Sequence, residues 1–176
     1  MSMTATGIRT GVGTLMCGAL LLSASDWPTY RGTTQRNGVG AETLTFPLHA
    51  RWSWRSAQAP CPAWPQPGKE LHRIDFDYAF QPVIADGSVL FASSADHALR
   101  CVSLADGTTR WRFVSDSPLR FAPDIADGKA YSAGDDGMVH CLDLEQGEVV
   151  WSFRCAPGKD MLLGNGHMMS RWPART

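Results

Sequence analysis

One stretch of this chain returns almost unchanged. Phe80-Gln81-Pro82-Val83-Ile84-Ala85-Asp86-Gly87 reappears 41 residues later as Phe121-Ala122-Pro123-Asp124-Ile125-Ala126-Asp127-Gly128. Cys101, Gly107, Trp111 and Phe113 reappear 40 residues later as Cys141, Gly147, Trp151 and Phe153. A unit of this length is one supersecondary motif that cannot bury its apolar faces alone, so copies must stack on one another.

Each copy reads as four short strands. The pattern predicts strands near 81–85, 88–93, 98–103 and 109–113, and again near 122–126, 129–133, 138–142 and 148–153. Asp86-Gly87 and Asp127-Gly128 are two-residue hairpin signals, because Asp-Gly accepts the positive φ angles of a tight turn. Asp106-Gly107, Gln146-Gly147 and Asp135-Asp136-Gly137 punctuate the later hairpins. Ser88-Val89-Leu90-Phe91-Ala92-Ser93 has an unbroken apolar centre rather than alternation, as expected of an inner strand covered on both faces. Four strands every 40 residues describe an all-β chain, a partial β-propeller with two full four-stranded antiparallel blades. Trp52-Ser53-Trp54 lines up with Trp111-Arg112-Phe113 and Trp151-Ser152-Phe153, which adds a lone outer strand. Gly107 and Trp111, like Gly147 and Trp151, form the expected structural docking motif, with a flat ring on each outermost strand to bury against the neighbouring blade.

At these residues the chain resembles the pyrroloquinoline-quinone-like (PQQ-like) β-propeller repeats, in particular their exported bacterial members. The family's repeat closes with Ala-x-Asp-x-x-Thr-Gly-x-x-x-Trp. Here Cys101 and Cys141 replace the alanine, in the first copy Ser103 replaces the aspartate, and neither copy has the threonine, while Gly107, Trp111, Gly147 and Trp151 stay in register. Trp27-Pro28-Thr29-Tyr30-Arg31-Gly32 resembles the family's N-terminal signature. The resemblance covers roughly 26–155 and implies two classes of activity. Some members are quinoprotein dehydrogenases holding a quinone and calcium on the propeller axis, marked by an adjacent cysteine pair. Others, such as an outer-membrane assembly lipoprotein, carry no cofactor and act as scaffolds. No adjacent cysteines occur here, so no catalytic, cofactor or metal residue carries over. The expected function is a non-catalytic binding or scaffold module with no cofactor; the alternative is a fragment of a PQQ-dependent quinoprotein dehydrogenase.

The remaining chain divides around the repeats. Arg9 followed by the uncharged run Gly11–Leu22 and the small residues Ser23-Ala24-Ser25 reads as a signal peptide over 1–25. It is too short to span a bilayer, and Leu15-Met16 before Cys17 is not the small pair of a lipid-anchor site. The expected location is the periplasm or cell envelope, with no integral membrane span after signal removal. Residues 26–79 read as an irregular arm containing one blade strand (51–55) and a loop with Pro60, Pro62, Pro65 and Pro67, since proline removes the ladder donor. Blade 1 spans 80–113, blade 2 spans 114–155, and 156–176 is a tail leading to a missing blade. Propellers close with about four to eight blades. The 176 residues therefore read as a fragment of a longer protein, or as a chain completed by association with a protein partner or further blades.

The chain offers several chemical candidates. His72 with Asp75 and Asp77 is the densest polar cluster, of a kind that binds cations or transfers protons, although carboxylates before a strand also simply face water. Asp135-Asp136-Gly137 resembles part of a calcium loop but lacks the rest of the pattern. Gly164-Asn165-Gly166 lacks the context of a phosphate loop. His97 and His140 sit near the middle hairpins at unmatched positions. Arg110, Arg112 and Arg154 border the tryptophans on the blade rim, and Trp64 marks the proline-rich loop. Cys61, Cys101, Cys141 and Cys155 lack zinc spacing, and Cys101 and Cys141 read as small buried hydrophobes. The net charge of −1 leaves no electrostatic footprint for nucleic acid.

Overall fold

The computed structural model describes residues 25–63, 77–164 and 167–174. The expected signal peptide, His72, Asp75, Trp64 and Asn165-Gly166 lie outside these residues. Every regular element described is a β-strand. Blade 1 comprises β1 (Val83–Ala85), β2 (Ser88–Ser93), β3 (Ala98–Ser103) and β4 (Thr109–Val114). Blade 2 comprises β5 (Asp124–Ala126), β6 (Lys129–Ala133), β7 (Met138–Asp143) and β8 (Val149–Arg154). Each blade is an antiparallel sheet with its strands side by side in chain order. The first strand of each blade begins two residues later than the sequence pattern predicts. Pro82 and Pro123 occupy the skipped positions and have no N–H to give to a ladder.

The two blades match hydrogen bond by hydrogen bond. Ala85 faces Ser88 and Ala126 faces Lys129, so both first hairpins turn on two residues. Both central residues of each turn, Asp86-Gly87 and Asp127-Gly128, have positive φ, the geometry that follows strand twist. The Leu104 N–H donates to Gly87 O, and the Leu144 N–H donates to Gly128 O. The ladder shifts register at Cys101/Val102 in blade 1 and at Cys141/Leu142 in blade 2.

Blade 1 is covered on both faces. Leu90, Leu99, Cys101 and Trp111 pack with Ile125, Ala130, Leu142 and Leu144 of blade 2. On the other face, Val89, Phe91 and Val102 pack beneath Trp52, Trp54 and Phe80. All six residues of β2 are buried as a result. The expected strand at 51–55 thus supplies the aromatic cover without a ladder: no described strand pairs with it. The arm also ties the blades together at their first strands. Trp27 exchanges both backbone hydrogen bonds with Ile84, and Pro28 O accepts the Ile125 N–H.

The tail forms a hairpin, β9 (Met161–Gly164) and β10 (His167–Ser170). Gly164 faces His167 across the hairpin. The hairpin is held to blade 2 by the Ser170 N–H on Asp135 O and the Ala174 N–H on Gly134 O.

Among the described residues, blade 2 is covered on one face, and this asymmetry is measurable. Trp111 is 8% exposed whereas Trp151, its counterpart, is 43% exposed. Trp111→Ala is expected to destabilise the fold by about 3–5 kcal/mol, the range for emptying a buried aromatic site. Trp151→Ala should cost under about 1 kcal/mol, as for surface substitutions. Urea denaturation of both variants checks the difference.

Candidate functional site

The contact that joins one blade to the next has three parts. The Trp111 indole N–H donates to Leu144 O at 2.8 Å. Its ring lies over Gly147, where a Cβ would come within 2.5 Å of the ring. Gly147 itself has φ +73°, a region side chains avoid. The arm repeats the arrangement on blade 1. The Trp52 N–H donates to Leu104 O at 2.9 Å, and its ring lies over Gly107, which has φ +74°. The glycine and tryptophan of one repeat therefore do not meet each other: each glycine receives the indole of the preceding unit. The sequence spacing from Gly107 to Trp111 concealed this, because both residues are fixed by the same hairpin while serving opposite faces of the blade.

Trp151 is the third indole in the series. Tyr131 lies 6.1 Å from it, centroid to centroid, and no described residue accepts its N–H. Val149 and Phe153 share its strand and are 48% and 62% exposed. An open face carrying these three side chains is the site with the clearest unmet chemistry in the described chain. Large exposed apolar patches mark interaction surfaces.

The sequence-derived polar candidates take structural roles. Asp77 does not face water: it is buried, accepts the Ala63 N–H at 2.8 Å, and pairs with Arg120 at 2.6 Å. Arg120, which no sequence pattern singles out, also binds Asp135 at 2.6 Å and Cys61 O at 2.6 Å. The repeat carries no hint of it, because Ala79 and Ser94 occupy the equivalent positions of Arg120 and Asp135 in the first copy. Asp136 accepts the Met138 N–H as a turn residue, and Gly137 has φ +77°. Among the described residues no three His, Cys, Asp or Glu stand together as a metal site. Arg120→Met leaves two carboxylates without their guanidinium in a dry site. It should cost about 3–5 kcal/mol, read as a lowered denaturation midpoint in urea.

The rim arginines hold to their own blades. Arg110 donates to Ser88 Oγ at 2.6 Å, and Arg154 donates to Asp136 O at 3.0 Å. Arg112 and Arg100 both pair with Asp96, and the Arg100 hydrogen bond is the main cause that lowers the Asp96 pKa to about 2. His97 adopts φ +53° in the turn and its carbonyl accepts the Ser115 N–H. Cys101 and Cys141 are wholly buried, and burial pushes the Cys101 thiol pKa up. A cleft of roughly 580 Å³ opens between the blades, lined by Asp86, Arg110, Asp127, Lys129, Asp143 and Glu145. Its charges are mixed, and Asp143 already accepts the Glu145 and Gln146 N–H groups.

His140 lies where blade 1 covers blade 2. Phe113 packs 5.0 Å away and Ser152 Oγ is 2.8 Å from Nδ1. Burial lowers its pKa below the ordinary histidine value, opposed by the Asp136 and Asp116 charges. The unfolded chain then binds more protons than the folded one, so stability rises with pH across this range. The contribution is complete above about pH 6.5 and is lost as pH falls through that value toward the depressed one. Urea midpoints measured from about pH 8 down to about pH 5 should show this loss, and His140→Gln should flatten it.

A four-stranded repeat whose outer-strand indole docks on the next blade defines a propeller-repeat protein. The chain belongs to the PQQ-like β-propeller repeat family: the family profile described as outer membrane protein assembly factor BamB matches residues 53–170. The outer membrane protein assembly factor BamB of Yersinia pestis is 34% identical over 79 residues, 42% of this chain and 20% of that protein. The chain thus matches about a fifth of the length of this curated relative. The quinohemoprotein alcohol dehydrogenase from Comamonas testosteroni superposes with TM-score 0.52 at 17% identity, over 76% of this chain and 20% of its own. That likeness is one of fold. BamB from Moraxella catarrhalis aligns over 38% of this chain and 20% of its own, with TM-score 0.36 and 19% identity.

Proposed function

We propose that this chain is a non-catalytic, protein-binding scaffold unit of the cell envelope. The observation that carries the reading is the open face of blade 2, where Val149, Trp151 and Phe153 stand exposed in the geometry that buries Trp111 one blade earlier. The partner class is a protein surface, either a further blade or a separate chain. The match to a family described as an outer membrane assembly factor supports this role. The charge pattern of residues 1–25 supports export to the periplasm or cell envelope. No helix among the described residues is long and apolar enough to cross a membrane.

The residues present do not fit a quinone and calcium centre. The sequence has no adjacent cysteines, and the buried carboxylates Asp77 and Asp135 are both paired with Arg120. The dehydrogenase reading rests on the repeat alone. A quinone absorbance retained after reconstitution with calcium, together with dye-linked alcohol oxidation, would replace the scaffold reading with it.

The direct test is capture from a cell-envelope extract with the tagged chain and with a Trp151→Ser, Phe153→Ser double variant. A specific protein should be recovered with the first and lost with the second. Equal recovery by both, or none by either, would count against the proposal.

A further inference from the structure

We propose that the arm segment around Trp52 is a displaceable cap, and that the site it occupies on blade 1 takes Trp151 of a second copy of this chain. The inference rests on docking geometry and not on the envelope role, and purified protein alone tests it.

Two receiving platforms exist in the described chain, each a carbonyl three residues before a positive-φ glycine. Leu144 O with Gly147 is filled by Trp111, and Leu104 O with Gly107 is filled by Trp52. The two occupants are held differently. Trp111 sits on β4, whose residues pair along β3, and it is 8% exposed. Trp52 sits on a segment with no ladder partner among the described strands, and it is less completely buried than Trp111. It is held by its indole hydrogen bond and by the packing of Trp52 and Trp54 on Val89, Phe91 and Val102.

The free indole of blade 2 matches that platform in detail. Trp151-Ser152-Phe153 has the same aromatic spacing as Trp52-Ser53-Trp54 and Trp111-Arg112-Phe113. Trp54 lies 5.6 Å from the Arg100 guanidinium, a place Phe153 of a second copy would fill with its own ring face. Blade 2 of one copy would then cover the Val89, Phe91 and Val102 face of the next. Such a contact is heterologous, joining different patches, and it propagates head to tail or closes into a ring. Within one chain the arm competes at an effective concentration on the order of millimolar, so the wild type is held as a monomer at micromolar concentration.

Sedimentation velocity at micromolar concentration is the experiment. Trp52→Ser should raise the weight-average mass at least to that of a dimer, increasing with concentration. Trp52→Ser combined with Trp151→Ser should return it to the monomer. A synthetic peptide of residues 48–57, added in excess to Trp52→Ser, should do the same by refilling the platform. A monomeric Trp52→Ser chain with native sheet circular dichroism overturns the proposal, as does association that persists in the double variant. Where Trp52→Ser loses its sheet signal, the wild-type chain decides. At concentrations on the order of millimolar it should associate and its Trp151→Ser variant should not. A wild type that stays monomeric there also overturns the proposal.

Discussion

An indole N–H given to a carbonyl three residues ahead of a glycine is the contact on which this structure depends. It joins three requirements in one place. The carbonyl must be free of its own ladder, the glycine must hold positive φ to turn the strand back, and no side chain can stand between the backbone and the ring. Leu144 O, Gly147 and Trp111 meet all three, as do Leu104 O, Gly107 and Trp52. Substituting either glycine would strain the turn and strike the ring at once, so turn chemistry and blade packing are set by the same residue.

The contact also has a direction. Every unit receives an indole on one face and offers its own on the other. A stack of such units therefore ends in one platform and one free ring. Among the described residues the platform of blade 1 is closed by the arm, and the exposed ring is Trp151 with Val149 and Phe153 beside it. The hairpin of β9 and β10 leans on the 134–137 turn at the end of blade 2 and leaves that indole uncovered.

Local chemistry was legible in the sequence, and non-local chemistry was not. Asp86-Gly87 and Asp127-Gly128 announce their turns because the conformational demand lies within two residues. The apolar run Val89–Ala92 announces its burial because both faces of an inner strand must be dry. The Trp52 segment was readable as a blade aromatic from its alignment with Trp111 and Trp151, but its lack of a ladder was not, since pairing depends on what stands beside it. The identity of each docking pair was hidden for the same reason: Trp111 meets a glycine from another repeat. Arg120 was invisible because repeat comparison finds Ala79 at its counterpart, and because Asp77 and Cys61 reach it from a loop far away in sequence. A carboxylate before a strand looks solvated until its cation is located.

The two blades fill three matched positions in opposite ways, which shows how each covering surface acts on the chemistry beneath it. In blade 1 these are Asp96, Arg100 and Arg112, an ionic cluster under the arm. In blade 2 they are Asp136, His140 and Ser152, with His140 and Ser152 hydrogen-bonded beneath Phe113 of blade 1. Arg100 faces Arg112 across the ladder, as His140 faces Ser152. Two arginines side by side repel unless an anion bridges them and water remains near. The ladderless arm leaves that water access, since Arg112 and Asp96 stay partly exposed. Under blade 1 His140 is partly buried, and desolvation there favours a neutral imidazole.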